Sequence, residues 1–266
     1  LRNGRARTGA AAALAAALLL GSGCFTRPAE LPELRLPDIH DGERSVYEVT
    51  RNDTVLYRTA ITLNFDEELS DPAGAGATVP TMVVTSSVEP VGPDVFFFDS
   101  STVVSRRDSF LPLRSYRSIE TDVSELEIEG RYTGRRASIT KRTVEGQVEE
   151  TVKLPSPTFV IDILQTFLRA VPPVSGTGFT VGVVVPIEFR TVPVKVTVLG
   201  TKLVTTELGD ILCREVVAST PNREVRFLYE LEQPRRFVEM RDVSNETAML
   251  LVEYERGAPD SLPPEP

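Results

Sequence analysis

Apolar and polar residues alternate with a period of two along most of this chain. Tyr57, Thr59, Ile61, Leu63 and Phe65 interleave with Arg58, Ala60, Thr62, Asn64 and Asp66, the pattern of a strand with one buried face. Leu126, Ile128 and Tyr132 repeat it against Glu125, Glu127, Glu129 and Arg131. Further strands are predicted over 192–199, 201–207, 211–220, 225–231, 237–244 and 247–255. Their links are short: Gly200, Leu208-Gly209-Asp210, Pro221-Asn222, Gln233-Pro234 and Asn245-Glu246. Asn52-Asp53, Thr133-Gly134-Arg135 and Glu145-Gly146-Gln147 read as hairpin turns. Strands at such spacing describe an all-β fold, mainly an antiparallel meander forming a curved sheet or partial barrel.

One segment departs from this period. Val160, Ile163, Leu164, Phe167, Leu168 and Val171 recur at helical spacing between Ser156-Pro157 and Pro172-Pro173, which predicts one amphipathic helix of about four turns over 158–170. Asp162, Gln165, Thr166 and Arg169 fall on its other face, so the apolar stripe is expected to pack on the sheet or close one end of a barrel. Phe96-Phe97-Phe98 is a continuous apolar run, expected in a strand covered on both faces, the alternative being one ring exposed for a partner.

The flanks differ from this body. Pro28, Pro32 and Pro37 stand among charged residues over 24–42, a composition for an extended tether reaching roughly 50 Å at about 3.1 Å per residue. Residues 256–266 are again proline-rich and acidic and read as a tail. A single β domain over 43–255 remains, long enough for one sizeable core.

Ahead of the tether, Arg2, Arg5 and Arg7 precede an eleven-residue apolar run from Ala10 to Leu20. That run is too short to span a bilayer and reads as a secretion signal over 1–23. Leu18-Leu19-Leu20-Gly21-Ser22-Gly23-Cys24 resembles the lipobox of bacterial lipoproteins, with Gly21 where the family prefers Leu. The resemblance implies cleavage before Cys24 and a diacylglycerol on its sulfur, which makes the membrane a partner through acyl chains. An ordinary signal peptide cut near Gly23 is the alternative. Phe25, rather than Asp, after the cysteine implies an outer-membrane, periplasm-facing position under the lipoprotein sorting rule.

Charge narrows the partners further. The chain carries −9, and removal of the three leader arginines leaves 26 bases against 38 acids, or −12. Such a surface repels nucleic acid. With Cys24 lipidated, Cys213 has no intramolecular partner, and its neighbours Ile211, Leu212, Val216 and Val217 mark it as a small buried hydrophobe.

Catalytic patterns are scarce. The one histidine, His40, lies in the tether, so no Ser-His-Asp, Cys-His or His-based metal site can be placed on the domain. Gly176, Gly178 and Gly182 precede strand-like residues instead of opening a helix, and read as loop glycines rather than a dinucleotide fingerprint. Asp66-Glu67-Glu68 with Asp71 lacks calcium-loop spacing and reads as a solvated strand end. No cofactor, metal or enzymatic activity is expected.

Val194-Lys195-Val196-Thr197-Val198-Leu199-Gly200, Val204-Thr205-Thr206-Glu207-Leu208-Gly209-Asp210 with Cys213 and Val216, Phe227-Leu228-Tyr229 and Pro234-Arg235-Arg236-Phe237-Val238 resemble the bacterial envelope proteins of domain-of-unknown-function family 3108. The helix ending Leu168-Arg169 and the run Leu111-Pro112-Leu113-Arg114-Ser115 fit the same family, and Lys202 departs from it. The resemblance implies an antiparallel β fold in a secreted or lipid-anchored protein, and no catalytic residues. Two functions follow as expectations: a non-enzymatic module binding a hydrophobic or envelope ligand, or a structural lipoprotein docking other envelope proteins through a strand edge. A lipid carrier requires an internal apolar cavity of several hundred Å³, whereas a scaffold requires a filled core and an uncovered edge.

Overall fold

A computed structural model describes residues 31–69, 78–91 and 97–258. The first half is a meander of eight strands: β1 (Glu43–Arg51), β2 (Thr54–Leu69), β3 (Thr78–Pro90), β4 (Phe97–Arg106), β5 (Pro112–Thr121), β6 (Glu125–Thr133), β7 (Arg136–Thr143) and β8 (Gly146–Lys153). The second half opens with β9 (Thr158–Val160), a 3-10 turn (Ile161–Ile163) and helix α1 (Leu164–Arg169). It continues through β10 (Gly178–Val185), β11 (Arg190–Thr206), β12 (Gly209–Thr220), β13 (Arg223–Glu230), β14 (Phe237–Asp242) and β15 (Thr247–Glu255). All fifteen strands join one sheet in the order β8-β7-β6-β5-β4-β3-β2-β1-β15-β14-β13-β12-β11-β10-β9. Among the described residues, only the β9–β10 pair is parallel.

This order dictates the curl. Fifteen strands laid flat span about 67 Å at roughly 4.8 Å per spacing. Yet β8 and β9, at opposite edges, are separated in the chain by only Leu154–Pro157, which reach at most about 18 Å. The sheet must bend until its edges approach, and it does, with the Thr191 hydroxyl donating to the Lys153 carbonyl at 3.2 Å. The result is a curved, unclosed sheet around one main core.

The helical segment fills that curve. The Phe167 ring stacks on Phe159 at 3.9 Å and meets Phe110 and Phe179 edge-on at 6.1 and 6.4 Å. The helix is shorter than its periodicity predicts, because Thr158, Phe159 and Val160 pair with Gly182, Val183 and Val184 as strand β9. Its polar positions are also not a solvent face. Thr166 and Arg169 are buried, and Arg169 donates to Glu43 of β1 at 2.7 Å and to the carbonyls of Pro234 and Arg235 at 2.9 and 3.1 Å. From β12, Arg214 enters the same interior and donates to the carbonyls of Leu168, Arg169 and Val171, covering the C-terminal carbonyls that a helix leaves unpaired.

Several local readings are modified. Asn52 and Asp53 form the two-residue turn with φ of 50° and 61°, as a type I′ hairpin requires. Gly200 is instead part of a register irregularity between Val198 and Thr201 within the continuous strand β11. Gly178 and Gly182 belong to β10, and only Gly176, at φ +85°, has a left-handed loop conformation. Phe97 is half-buried but Phe98 is 43% exposed, so the phenylalanine run is not covered on both faces; Phe96 lies outside the described residues. Residues 31–40 carry no regular structure, yet Leu31, Leu34 and Ile39 pack on the core and the Arg35 amide donates to the Ala170 carbonyl at 2.8 Å.

A smaller cluster of Val204, Ile211, Cys213, Leu228 and Val238 occupies the opposite face of the second half-sheet. Among the described residues, no helix is long and apolar enough to cross a membrane.

Candidate functional site

Between the two half-sheets, beneath the helical segment, lies a cavity of about 120 Å³. Its apolar wall comes from alternate positions of consecutive strands: Val225 and Phe227 of β13, Phe237 and Met240 of β14, and Met249 of β15. Cross-strand register aligns them, with Phe227 opposite Met240 and Met240 opposite Met249. Phe237 also anchors an aromatic group, its ring 5.1 Å from Tyr47 and 5.6 Å from Tyr229. Tyr57 and Ile61 of β2 and Val88 of β3 stand across the space, and Ile161, Leu164 and Gln165 cover it.

The polar end is built around Arg117 of β5. Its Nε and Nη2 donate to both oxygens of Asp99 on β4 at 2.9 and 2.6 Å, and Nη1 donates to Asp162 of the 3-10 turn at 3.1 Å. A bidentate pair with a third charge-assisted bond holds the planar guanidinium rigidly. Burial opposes the charge on Arg117, but Asp162 and Asp99 outweigh it and raise its pKa. Burial moves Asp162 the other way, lifting its carboxyl above the ordinary range against the pull of Arg117. The Tyr57 phenol is pushed up to about 12 by burial and by Asp99. Both carboxylates are thus engaged structurally instead of standing free as an acid and base pair.

Arg223, at the start of β13, is a second buried guanidinium on the cavity wall. Its Nη2 donates to the fully buried Asp242, which also accepts from the Ser244 amide at 3.1 Å and from Asn245. Its Nε and Nη1 have no partner.

The residues singled out from sequence fall in separate places. Asp162 and Gln165 reach the cavity. Cys24 lies outside the described residues, as does Asp71. Cys213 is buried in the opposite-face cluster, where burial pushes its thiol up to about 12, far from nucleophilic. His40 packs beside Arg256 and Asp38, not near the cavity. Alternation alone does not single out Asp99, Arg117 and Arg223: each sits in a strand where an arginine or aspartate is ordinarily solvated, and Asp99 and Arg117, on adjacent strands, meet Arg223 from over one hundred residues away. The available signal was phase, since Arg223 alternates with Val225 and Phe227 on the inward-facing set.

A chamber of several hundred Å³ for whole lipids is not found among the described residues, because the helical segment occupies the interior.

A family model described as "Protein of unknown function (DUF3108)" matches residues 47–251. No curated protein is significantly similar in sequence. Among solved structures, the chain is similar to a beta-barrel-like protein of domain of unknown function DUF1849 from Brucella abortus. The match has a TM-score of 0.50 at 11% identity and covers 84% of this chain and 98% of that one. A Bacteroides fragilis protein with a YmcC-like fold aligns over 84% of this chain and 100% of its own at 9% identity, with a TM-score of 0.33.

Proposed function

The chain belongs to the DUF3108 family, and from its architecture we propose that it is a lipid-anchored envelope protein, a binding module that holds a small amphipathic group without transforming it. The observation that carries this reading is the cavity itself: an apolar wall of Val225, Phe227, Met240 and Met249 faces a polar end organised by Arg117. Pockets of this composition, apolar with a few convergent polar groups, take ligands that are part greasy and part hydrogen-bonding. Its volume suits the end of a molecule, not a whole lipid. Because Arg117 engages both nearby carboxylates, the site orients a ligand more readily than it exchanges protons with one.

The anchor completes the proposal. A diacylglycerol on Cys24 holds the domain to the periplasmic face of the outer membrane, since each buried methylene contributes about 0.8 kcal/mol and two chains exceed the marginal hold of one. The cavity then works close to the bilayer. A second reading, a scaffold that pairs through a strand edge, is favoured by β8, whose residues are exposed except Val152 and whose outer edge has no neighbouring strand among the described residues. Lys153, Glu149 and Glu150 blunt that edge against promiscuous pairing.

Mass spectrometry of the protein from its native membrane, together with fractionation of Cys24→Ser, tests the proposal. The expected results are acyl mass on Cys24, release of the variant from the membrane pellet, and a small co-purifying amphiphile. An unmodified Cys24, or a variant that pellets as before, removes the anchor; partner proteins without a small molecule favour the scaffold.

A further inference from the structure

The tip of the β11–β12 hairpin carries apolar residues that no core absorbs. It reaches past the end of β13, where Cys213 pairs with Glu230 and the Leu231 amide donates to the Leu212 carbonyl at 2.9 Å. One face of the tip is closed: Val204 and Ile211, paired across the two strands, are buried with Cys213, Leu228 and Val238. A ribbon covered on one face ordinarily turns polar residues outward on the other. Here the next pair, on that other face, is Leu203 with Leu212, 59% and 48% exposed, and Leu208 in the turn is 44% exposed. The covered face holds the tip in place, so these leucines stay presented to the outside.

The position of the tip decides what it meets. Loop 231–236 beside Leu212 also holds the chain that enters the domain: the Asp38 amide donates to Gln233 Oε1 at 3.0 Å, and Arg235 donates to the Arg35 carbonyl at 3.3 Å. The Arg35 amide donates in turn to Ala170, next to Val171, whose carbonyl accepts from Arg214 of β12. The leucines and the point of entry therefore share one end of the sheet, where Leu36 and Val174 are exposed as well. Leu31, where the described residues begin, follows Cys24 by seven positions, a reach of at most about 25 Å at roughly 3.6 Å per residue. Acyl chains on Cys24 hold this end nearest the bilayer. Charge selects the lipid. Glu207 and Asp210 flank Leu208 in a chain of net charge −9, which repels anionic headgroups but not zwitterionic ones. A second copy of the chain is the poorer occupant, since a stable protein interface takes roughly 20–30 residues a side, whereas a few leucines suffice beside an anchor that already keeps the domain at the surface.

We infer that the β11–β12 tip is a membrane-docking surface: Leu203, Leu208 and Leu212 enter the boundary between headgroups and acyl chains of a zwitterionic leaflet and fix the tilt of the domain on its anchor. This inference rests on the lipid anchor proposed above and adds a second, non-covalent contact.

The chain contains no tryptophan, so Leu203→Trp introduces a lone emission probe. The acylated full chain bearing it is purified from its membrane, reconstituted in phosphatidylcholine vesicles brominated high on one acyl chain, and compared with Val243→Trp. Val243 is 61% exposed beyond the far end of the six-residue strand β14, about 20 Å along the sheet at roughly 3.4 Å per residue. Leu203→Trp is expected to shift to the blue and to be quenched at least about twofold, with Val243→Trp unquenched. Leu212→Trp supplies the same reading if the first variant fails to fold. Equal quenching at both ends, or none at either, in an acylated chain that floats with the vesicles overturns the docking surface and leaves the anchor. A chain that carries no acyl mass and stays off the vesicles shows that the anchor itself has failed, and the inference falls with it. A blue shift that grows with protein concentration in Cys24→Ser without lipid makes a second copy the occupant and overturns the inference.

Discussion

Arg214 shows how one side chain can decide the fate of a short element. Helix α1 has six residues, fewer than an isolated helix needs for stability in water, and the carbonyls of Leu168, Arg169 and Val171 all receive donors from this one guanidinium. Replacing it with an apolar residue of similar length strands those acceptors in the core. Arg214→Met is therefore expected to lose about 3 kcal/mol, read as a lower denaturant midpoint with an unchanged slope, while Arg214→Lys recovers part of the loss. The inward position of this residue was legible, since it shares the phase of Val216 and Ala218. Its partners were not. Alternation identifies which face a strand residue occupies, but a helix terminus brought over by tertiary packing leaves no trace in the strand's own sequence.

Among the elements, hairpins were the most legible because their causes are local. Asn52-Asp53 supplies the two positive φ angles of a tight turn, and the register of β1 with β2 follows from it. The helical stretch was legible in existence but not in extent. Thr158, Phe159 and Val160 fit helical spacing, yet a place beside β10 satisfies their backbone as a strand and buries all three side chains. Gly182 permits this close approach: a Cβ there would come within 2.6 Å of the Thr158 hydroxyl and 2.9 Å of the Pro155 ring. Gly182→Ala must push β9 away, at an expected cost of about 1–3 kcal/mol. Amide hydrogen exchange at Phe159 to Ile163 should rise more than exchange in β12 or β13, whereas a uniform rise across the sheet would contradict this local account. The cavity was the least legible feature. Its walls come from β2 to β5 and β13 to β15, and only the curl of the complete sheet brings Arg117 within the same space as Arg223.

Across the whole molecule, two successive meanders are joined into one sheet where β1 pairs with β15 in its middle, and Glu43 straps that seam to the interior. Its carboxylate, at the start of β1, meets Arg169 of the helix, which itself holds the 234–235 loop between β13 and β14. Glu43→Ala leaves a cation buried without its counter-charge and is expected to cost about 3–5 kcal/mol. Thermal unfolding should remain a single transition at lower temperature, because the β1–β15 pairing and the shared core still join both halves; separate melting of the two halves would show that they are independent. The overall class, a curved antiparallel sheet with one helix, followed from the period of the strands, but the seam did not, since nothing local in β1 says that its second neighbour is β15, some two hundred residues on. On the export route that the proposed function implies, the strands of the β1–β8 ribbon leave a pore before the rest of the sheet. The two ribbons cannot join until β15, which ends at Glu255, has followed.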